Sequence, residues 1–218
     1  MKHEAVTLLT AAGLLAIASC RTAPARSGPQ IIQPGAPGQP SRVITVDEAT
    51  DLSQVQHTPA DVRFMQGMIG HHAQALEMTA LLATRTSSED MRKLARRIEL
   101  SQSDEIEMMQ EWLRSRGEAL PDPHAHHAPG GTLMPGMLTR EEMGRLAAAN
   151  GPEFDRLFLE FMIKHHDGAL VMVSQLFATP GAALESEMFA FASDVDADQR
   201  MEIARMGTML VKMKELHK

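Results

Sequence analysis

The chain has no tyrosine, one tryptophan and one cysteine, and aromatic residues make up only 4% of its 218 positions. A single cysteine excludes a disulfide within the chain and a thiolate cage of the zinc-finger kind. Basic residues are also short. Lys and Arg number 21 against 28 Asp and Glu, a formal net charge of -7. Such a chain lacks the positive footprint that a phosphate backbone needs, so no nucleic acid is expected as a partner. No run alternates in the manner of a strand, so the folded part is read as all-α. What the chain does have is an apolar content of 44%, sufficient for a core, and 17 methionines. Methionine is a soft core filler in most proteins and a thioether ligand in a few.

Residues 1–20 begin with Lys2, continue through an apolar run from Ala5 to Ala18 and end in Ile17-Ala18-Ser19-Cys20. The run is too short to span a bilayer as a stable helix. Its ending resembles the lipobox of bacterial lipoproteins, where the leader is cut before a cysteine whose thiol is then acylated. Residues 1–19 are therefore read as a lipoprotein signal peptide and Cys20 as the lipid anchor to the membrane of the cell envelope. Any metal ligands must then be His, Met, carboxylate or amide. Residues 20–57, rich in Pro, Gly, Ser and Gln, read as a flexible linker, and 58–218 as the folded domain.

Helix signals divide that domain. Thr58-Pro59-Ala60-Asp61 combines an N-cap, proline at the first helical position and an acid at the third. A helix is expected from there to about Arg85, and a second from Ser87-Ser88-Glu89-Asp90 to Gly117. Residues 118–138 read as a loop. Thr139-Arg140-Glu141-Glu142 opens a short helix stopped by Asn150-Gly151-Pro152. A third long helix is expected from Pro152 to about Ala178, and a fourth from Thr179-Pro180 almost to Lys218.

The first and third long helices match at a spacing of 94. Asp61, Phe64, Met68, Ile69, His71 and His72 recur as Asp155, Phe158, Met162, Ile163, His165 and His166. The second and fourth match at a spacing of 97, where Met91, Ala95, Gln102, Glu105, Ile106 and Met109 recur as Met188, Ala192, Gln199, Glu202, Ile203 and Met206. The chain is one helical hairpin written twice, which makes a four-helix bundle with a short extra helix in the central crossover.

At about 100° per residue, His71 lies about 60° to one side of Met68 and His72 about 40° to the other, both on the apolar face. His165 and His166 stand in the same way around Met162. Gln102 sits amid an apolar stripe with Glu105 at its edge, and Gln199 and Glu202 repeat this. A polar group buried without a partner costs on the order of 1–3 kcal/mol. These groups must therefore satisfy one another or a bound ion. A lone His beside an apolar face is ordinarily a hydrogen-bonded core residue. Two matched pairs, each facing Gln-x-x-Glu, favour metal.

His71, His72, His165 and His166 are the expected ligands, with Met68 and Met162 as soft donors and Glu105 and Glu202 as carboxylate ligands. Gln102, Gln199, Met109 and Met206 would support them from behind. Di-iron bundles carry Glu-x-x-His; here Met68 and Met162 occupy the Glu position, and soft S and N donors favour copper, with zinc or iron as alternatives. The loop holds His124, His126, His127, Met134 and Met137. It reads equally as a mobile metal-capture segment or as a polar linker.

At these residues the chain resembles domain-of-unknown-function family 305. The matching elements are Met-Ile-Gly-His-His at 68–72, Met-Pro-Gly-Met-Leu-Thr at 134–139, Phe-Asp-Arg-Leu-Phe-Leu-Glu at 154–160, Met-Ile-Lys-His-His at 162–166, and Gln-x-x-Glu-Ile at 102–106 and 199–203. The resemblance implies a ferritin-like bundle and a link to copper binding and copper tolerance outside the cytoplasm, with no established catalytic reaction. Two other readings remain. A metal-dependent oxidoreductase of the envelope would need an open coordination position, and the chain lacks Tyr, Cys ligands and Glu-x-x-His. A structural or interaction bundle would instead close the His, Gln and Glu groups into one hydrogen-bond network.

Overall fold

The computed structural model describes residues 30–33, 40–51, 55–122 and 133–216. The leader, Cys20 and the loop residues His124, His126 and His127 lie outside them. The chain divides into two compact units, one up to Asp51 and one from Leu52 onward.

In the first unit, β1 (Ile31–Gln33) pairs antiparallel with β2 (Arg42–Ile44), in the register Ile31↔Ile44, Ile32↔Val43 and Gln33↔Arg42. Helix α1 (Val46–Thr50) follows, closed by a capping box between Thr45 and Glu48. This local order falls within the stretch read above as a linker. Short β-branched runs pair here, beside the Pro and Gly that dominate the composition.

The second unit is a helical bundle. Helices α2 (Pro59–Ala80) and α4 (Glu89–Ser115) form one hairpin, joined through the single turn α3 (Leu82–Arg85). Helices α6 (Gly151–Ala178) and α7 (Ser186–Leu216) form the other, with α5 (Arg140–Ala148) in the crossover. Thr58 caps α2 by accepting from the Ala60 and Asp61 amides, and Asp61 accepts in return from the Thr58 amide at 2.7 Å. Gly117, at φ +70°, ends α4, with the Glu118 amide bonded back to the Leu113 carbonyl. Only glycine adopts this left-handed conformation at little cost.

The fourth long helix begins later than its sequence suggests. Thr179-Pro180 does not open it; Thr179 instead closes α6, and α7 starts at Ser186. The intervening turn runs through Gly181 at φ +83° and Ala183 at φ +53°. The buried Asp61 carboxylate holds it by accepting from the Ala183 amide at 2.7 Å. The counterpart of Asp61 is Asp155, which is hydrogen-bonded to the Thr86 side chain at the turn between the first two long helices. Each half thus uses an aspartate at the start of its first helix to hold a helix-joining turn.

Two apolar clusters fill the bundle. One gathers Phe64, Met68, Met109, Trp112, Val173 and Phe191. The other gathers Met78, Leu94, Ile98, Phe154, Phe158 and Met206. The start of α2 thus meets the end of α4, as an antiparallel hairpin requires. The residues between the clusters along α2 and α6 are the His-His pairs.

The segment leading into α5 is packed onto the bundle. Gln74 clamps Leu138 with two hydrogen bonds: its Oε1 accepts from the Leu138 amide at 2.7 Å, and its Nε2 donates to the Leu138 carbonyl at 3.0 Å. Gly136, at φ +76°, presses its backbone onto Gly168 of α6. A Cβ on Gly168 would stand 2.6 Å from Gly136 Cα and closer still to the Pro135 carbonyl. Gly168→Ala should therefore lower stability by about 1–3 kcal/mol, as overpacking does, and speed amide exchange at Leu138. Chemical denaturation with hydrogen exchange checks this; an unchanged midpoint and unchanged protection would refute the close packing.

Candidate metal centre

α2 supplies His71 and His72, and α6 supplies His165 and His166. Successive residues on a helix point about 100° apart, so one ring of each pair turns toward the other hairpin and one toward the partner helix of its own. His71 and His165 meet across the α2–α6 contact, their ring centroids 3.8 Å apart and their planes inclined by 39°. His72 faces α4, where its Nε2 lies 2.5 Å from Glu105 Oε2. His166 faces α7, where its Nε2 lies 2.6 Å from Glu202 Oε2. All four rings are at most 1% exposed, and Glu105 and Glu202 are 8% and 3% exposed.

These contacts set the proton positions. A carboxylate oxygen accepts, so Nε2 of His72 and of His166 donates to it, and Nδ1 is the nitrogen each ring has left for a ligand. Neither Nδ1 has a hydrogen-bond partner, nor does Nε2 of His165. His71 Nε2 lies 2.9 Å from the Pro135 carbonyl, which also only accepts. His71 therefore likewise presents its lone pair from Nδ1. Rings oriented from behind by a carboxylate, as those of His72 and His166 are, with an Nδ1 that meets no donor, are in the state that metal-binding imidazoles need. Among the described residues, no three His, Cys, Asp or Glu side chains converge as a preassembled cation cage.

The supporting groups lie where the duplication predicts. Gln102 and Gln199 are each 1% exposed, and Gln102 Oε1 has no hydrogen-bond partner. Met68 and Met109 lie in one apolar cluster, Met162 and Met206 in the other. Glu105 also accepts from the Ser101 hydroxyl at 3.3 Å, and Arg97 stands 3.9 Å from Glu202. Glu105 lines a pocket of about 310 Å³ with Asp104, Asp194 and Asp198, so one side of its carboxylate faces acidic surroundings and the other faces His72. Burial, reinforced by Glu105 and Glu202, raises the Asp198 carboxyl above its ordinary range.

The sequence pointed to the four histidines and the two Gln-x-x-Glu stretches. It did not point to Pro135, because the contributing atom is a main-chain carbonyl, nor to Gln74 and Gly168, which hold that carbonyl in place. The one available signal was the Met-Pro-Gly-Met motif. Its residues 134–138 are packed: Met137 and Leu138 are buried, and Met134 is half-buried.

Burial holds His165 well below the ordinary imidazole range, and His71, His166 and His72 add to the effect. In the unfolded chain the same ring takes up a proton near pH 6.5. The unfolded state then binds more protons, so stability falls as pH drops through about 6.5 toward the lower folded value. Metal-free protein should lose stability over that window, and His165→Gln should flatten the slope. Urea denaturation at a series of pH values checks this; an identical slope in the variant would contradict it.

The family model described as domain of unknown function (DUF305) matches residues 61–210. The chain is similar to a DUF305 protein of Streptomyces coelicolor inferred to be secreted, with 28% identity and a TM-score of 0.62, covering 71% of this chain and 94% of that one. It is similar to a DUF305 fragment from Deinococcus radiodurans, with 33% identity and a TM-score of 0.62, covering 72% and 98%. It is also similar to CopM in its Cu(I)-bound form, with 28% identity and a TM-score of 0.54, covering 72% and 98%. Ag-bound and Cu(II)-bound forms of CopM match as well. No curated protein matches the chain. With its all-α bundle and a family match spanning both His-His pairs, the chain belongs to the DUF305 family.

Proposed function

We propose that the protein binds copper outside the cytoplasm and buffers it or passes it on. The observation that carries this reading is the buried layer of imidazoles, in which His72 Nδ1, His166 Nδ1 and His165 Nε2 have no hydrogen-bond partner. Leaving such groups unsatisfied costs on the order of 1–3 kcal/mol each; a bound ion offsets that cost. His71, His72, His165 and His166 are the ligands. Glu105 and Glu202 orient the outer two rings and balance the charge, and Gln102 and Gln199 complete the polar layer. Met68 and Met162, on the same faces of α2 and α6, are the soft donors that favour Cu(I) over harder ions. The contact between His71 and His165 brings the pairs of the two halves together. The likeness to CopM in Cu(I)-, Cu(II)- and Ag-bound forms supports the same metal class.

Residues 1–19 serve as a lipoprotein leader, Cys20 as the lipidated residue and 20–57 as the connection to the bundle of 58–218. The likeness to a DUF305 protein inferred to be secreted supports this location. No helix among the described residues is long and apolar enough to cross a membrane.

Anaerobic Cu(I) titration of the full chain against a competing chelator tests the site. A ligand that binds only the folded state stabilises it by about 4 kcal/mol at a thousand times its Kd. Cu(I) should therefore raise the melting temperature of the parent by more than that of the variant with all four histidines changed to Ala. X-ray absorption should show N and S donors. A first shell of oxygen alone, or undiminished binding in the variant, would overturn the assignment.

A further inference from the structure

At one matched pair of positions the two halves differ by a whole aromatic side chain. Phe161 in the second half corresponds to Gly67 in the first, 94 residues earlier. Phe161 packs against the second apolar cluster, with the Arg145 guanidinium 5.6 Å over its ring. At Gly67 there is no side chain, and a cavity of about 450 Å³ opens between α2, α6 and the segment before α5. Two thioethers reach into the space the missing side chain leaves. A Cβ on Gly67 would lie 3.1 Å from Met134 Sδ and 3.5 Å from Met172 Cε. Met134 arrives from the crossover and Met172 from α6, so the pair forms only when the crossover is docked.

We propose that Met134 and Met172 form a second binding site, for a soft monovalent cation such as Cu(I) or Ag(I), in the cavity above Gly67. Thioether sulfur is uncharged and polarisable, so it selects soft ions and binds hard divalent ones poorly. Of the cavity's other polar side chains, Arg63 and Gln175 are exposed and Thr179 is half-buried. Met134, with its Sδ toward Gly67, and the buried Met172 are thus the soft donors among the cavity's lining residues. Pro135 forms part of the wall and carries the carbonyl that meets His71. One residue therefore separates the thioether pair from the histidine layer, and an ion held at the pair is placed for transfer to His71. That last step rests on the histidine reading; the thioether site does not.

Ag(I), which does not change oxidation state here, is the probe. The full chain, labelled with ¹³C at the methionine methyls, is titrated with Ag(I) in parallel with three variants: Met134→Leu/Met172→Leu, His72→Ala/His166→Ala, and the variant lacking all four histidines. Leu keeps the apolar volume, so the methionine variant retains the fold, and far-UV circular dichroism verifies this for each protein. Expected are joint shifts of the Met134 and Met172 methyl signals in the parent and in both histidine variants, and the loss of one Ag(I) equivalent in the methionine variant. Undiminished stoichiometry in the methionine variant would overturn the site. So would Met134 and Met172 signals that stay still while Ag(I) binds, or that move only when the histidines are present. Failure of the histidine reading is seen separately, as full retention by the four-histidine variant of every Ag(I) equivalent beyond the thioether-bound one.

Discussion

A buried imidazole donating to a buried carboxylate, His72 to Glu105 and His166 to Glu202, is the contact around which the bundle is arranged. Each pair links the two helices of its own hairpin. Sliding either helix by one residue would turn a ring into an apolar cluster and strand its hydrogen. The interaction therefore sets helix register where apolar packing tolerates error. It also divides the core in two, with Met68 and Met109 on one side of the polar layer and Met162 and Met206 on the other. Apolar burial drives the association of the helices; the polar layer selects which alignment persists.

The duplication explains why the layer is two-sided, and its departures explain why it is not symmetric. Positions 74 and 168 correspond, yet one is Gln and the other Gly. Both hold the crossover: Gln74 by bonding the Leu138 main chain, Gly168 by letting Gly136 approach. The crossover passes once, so it completes one half only. His71 meets the Pro135 carbonyl, whereas His165 keeps an unpartnered Nε2 and is held by burial well below its ordinary protonation range. The asymmetry is chemical as well as steric, since the two central rings enter any shared centre with different partners behind them.

Much of this was legible in the chain. Helical periodicity, capping boxes at Thr58 and Thr139, and the two repeat spacings are local signals, and they led to the four long helices, the hairpin pairing and the histidine layer. Contacts set by the assembled bundle were not legible. The carbonyl on His71 comes from 64 residues away, and the amide that Asp61 receives from 122 residues away. The second of these is why Thr179-Pro180 misled: its cap and proline suit a helix start, but a distant carboxylate holds the following residues in a turn. The cavity at Gly67 was hidden for another reason. A missing side chain acquires meaning only when its counterpart in the other half is known.

The carbonyl that reaches His71 belongs to the main chain, and this affects how the protein tolerates change. Every amino acid carries that oxygen, so the identity of residue 135 matters mainly through the path of its backbone. The requirement is displaced onto neighbours that touch no imidazole at all: Gly136, which must turn left-handed, and Gly168, which must leave room. A survey of substitutions that scored only loss of metal would mark these two glycines as ligands and pass over residue 135. The genetic map and the chemical map of this site are offset from each other.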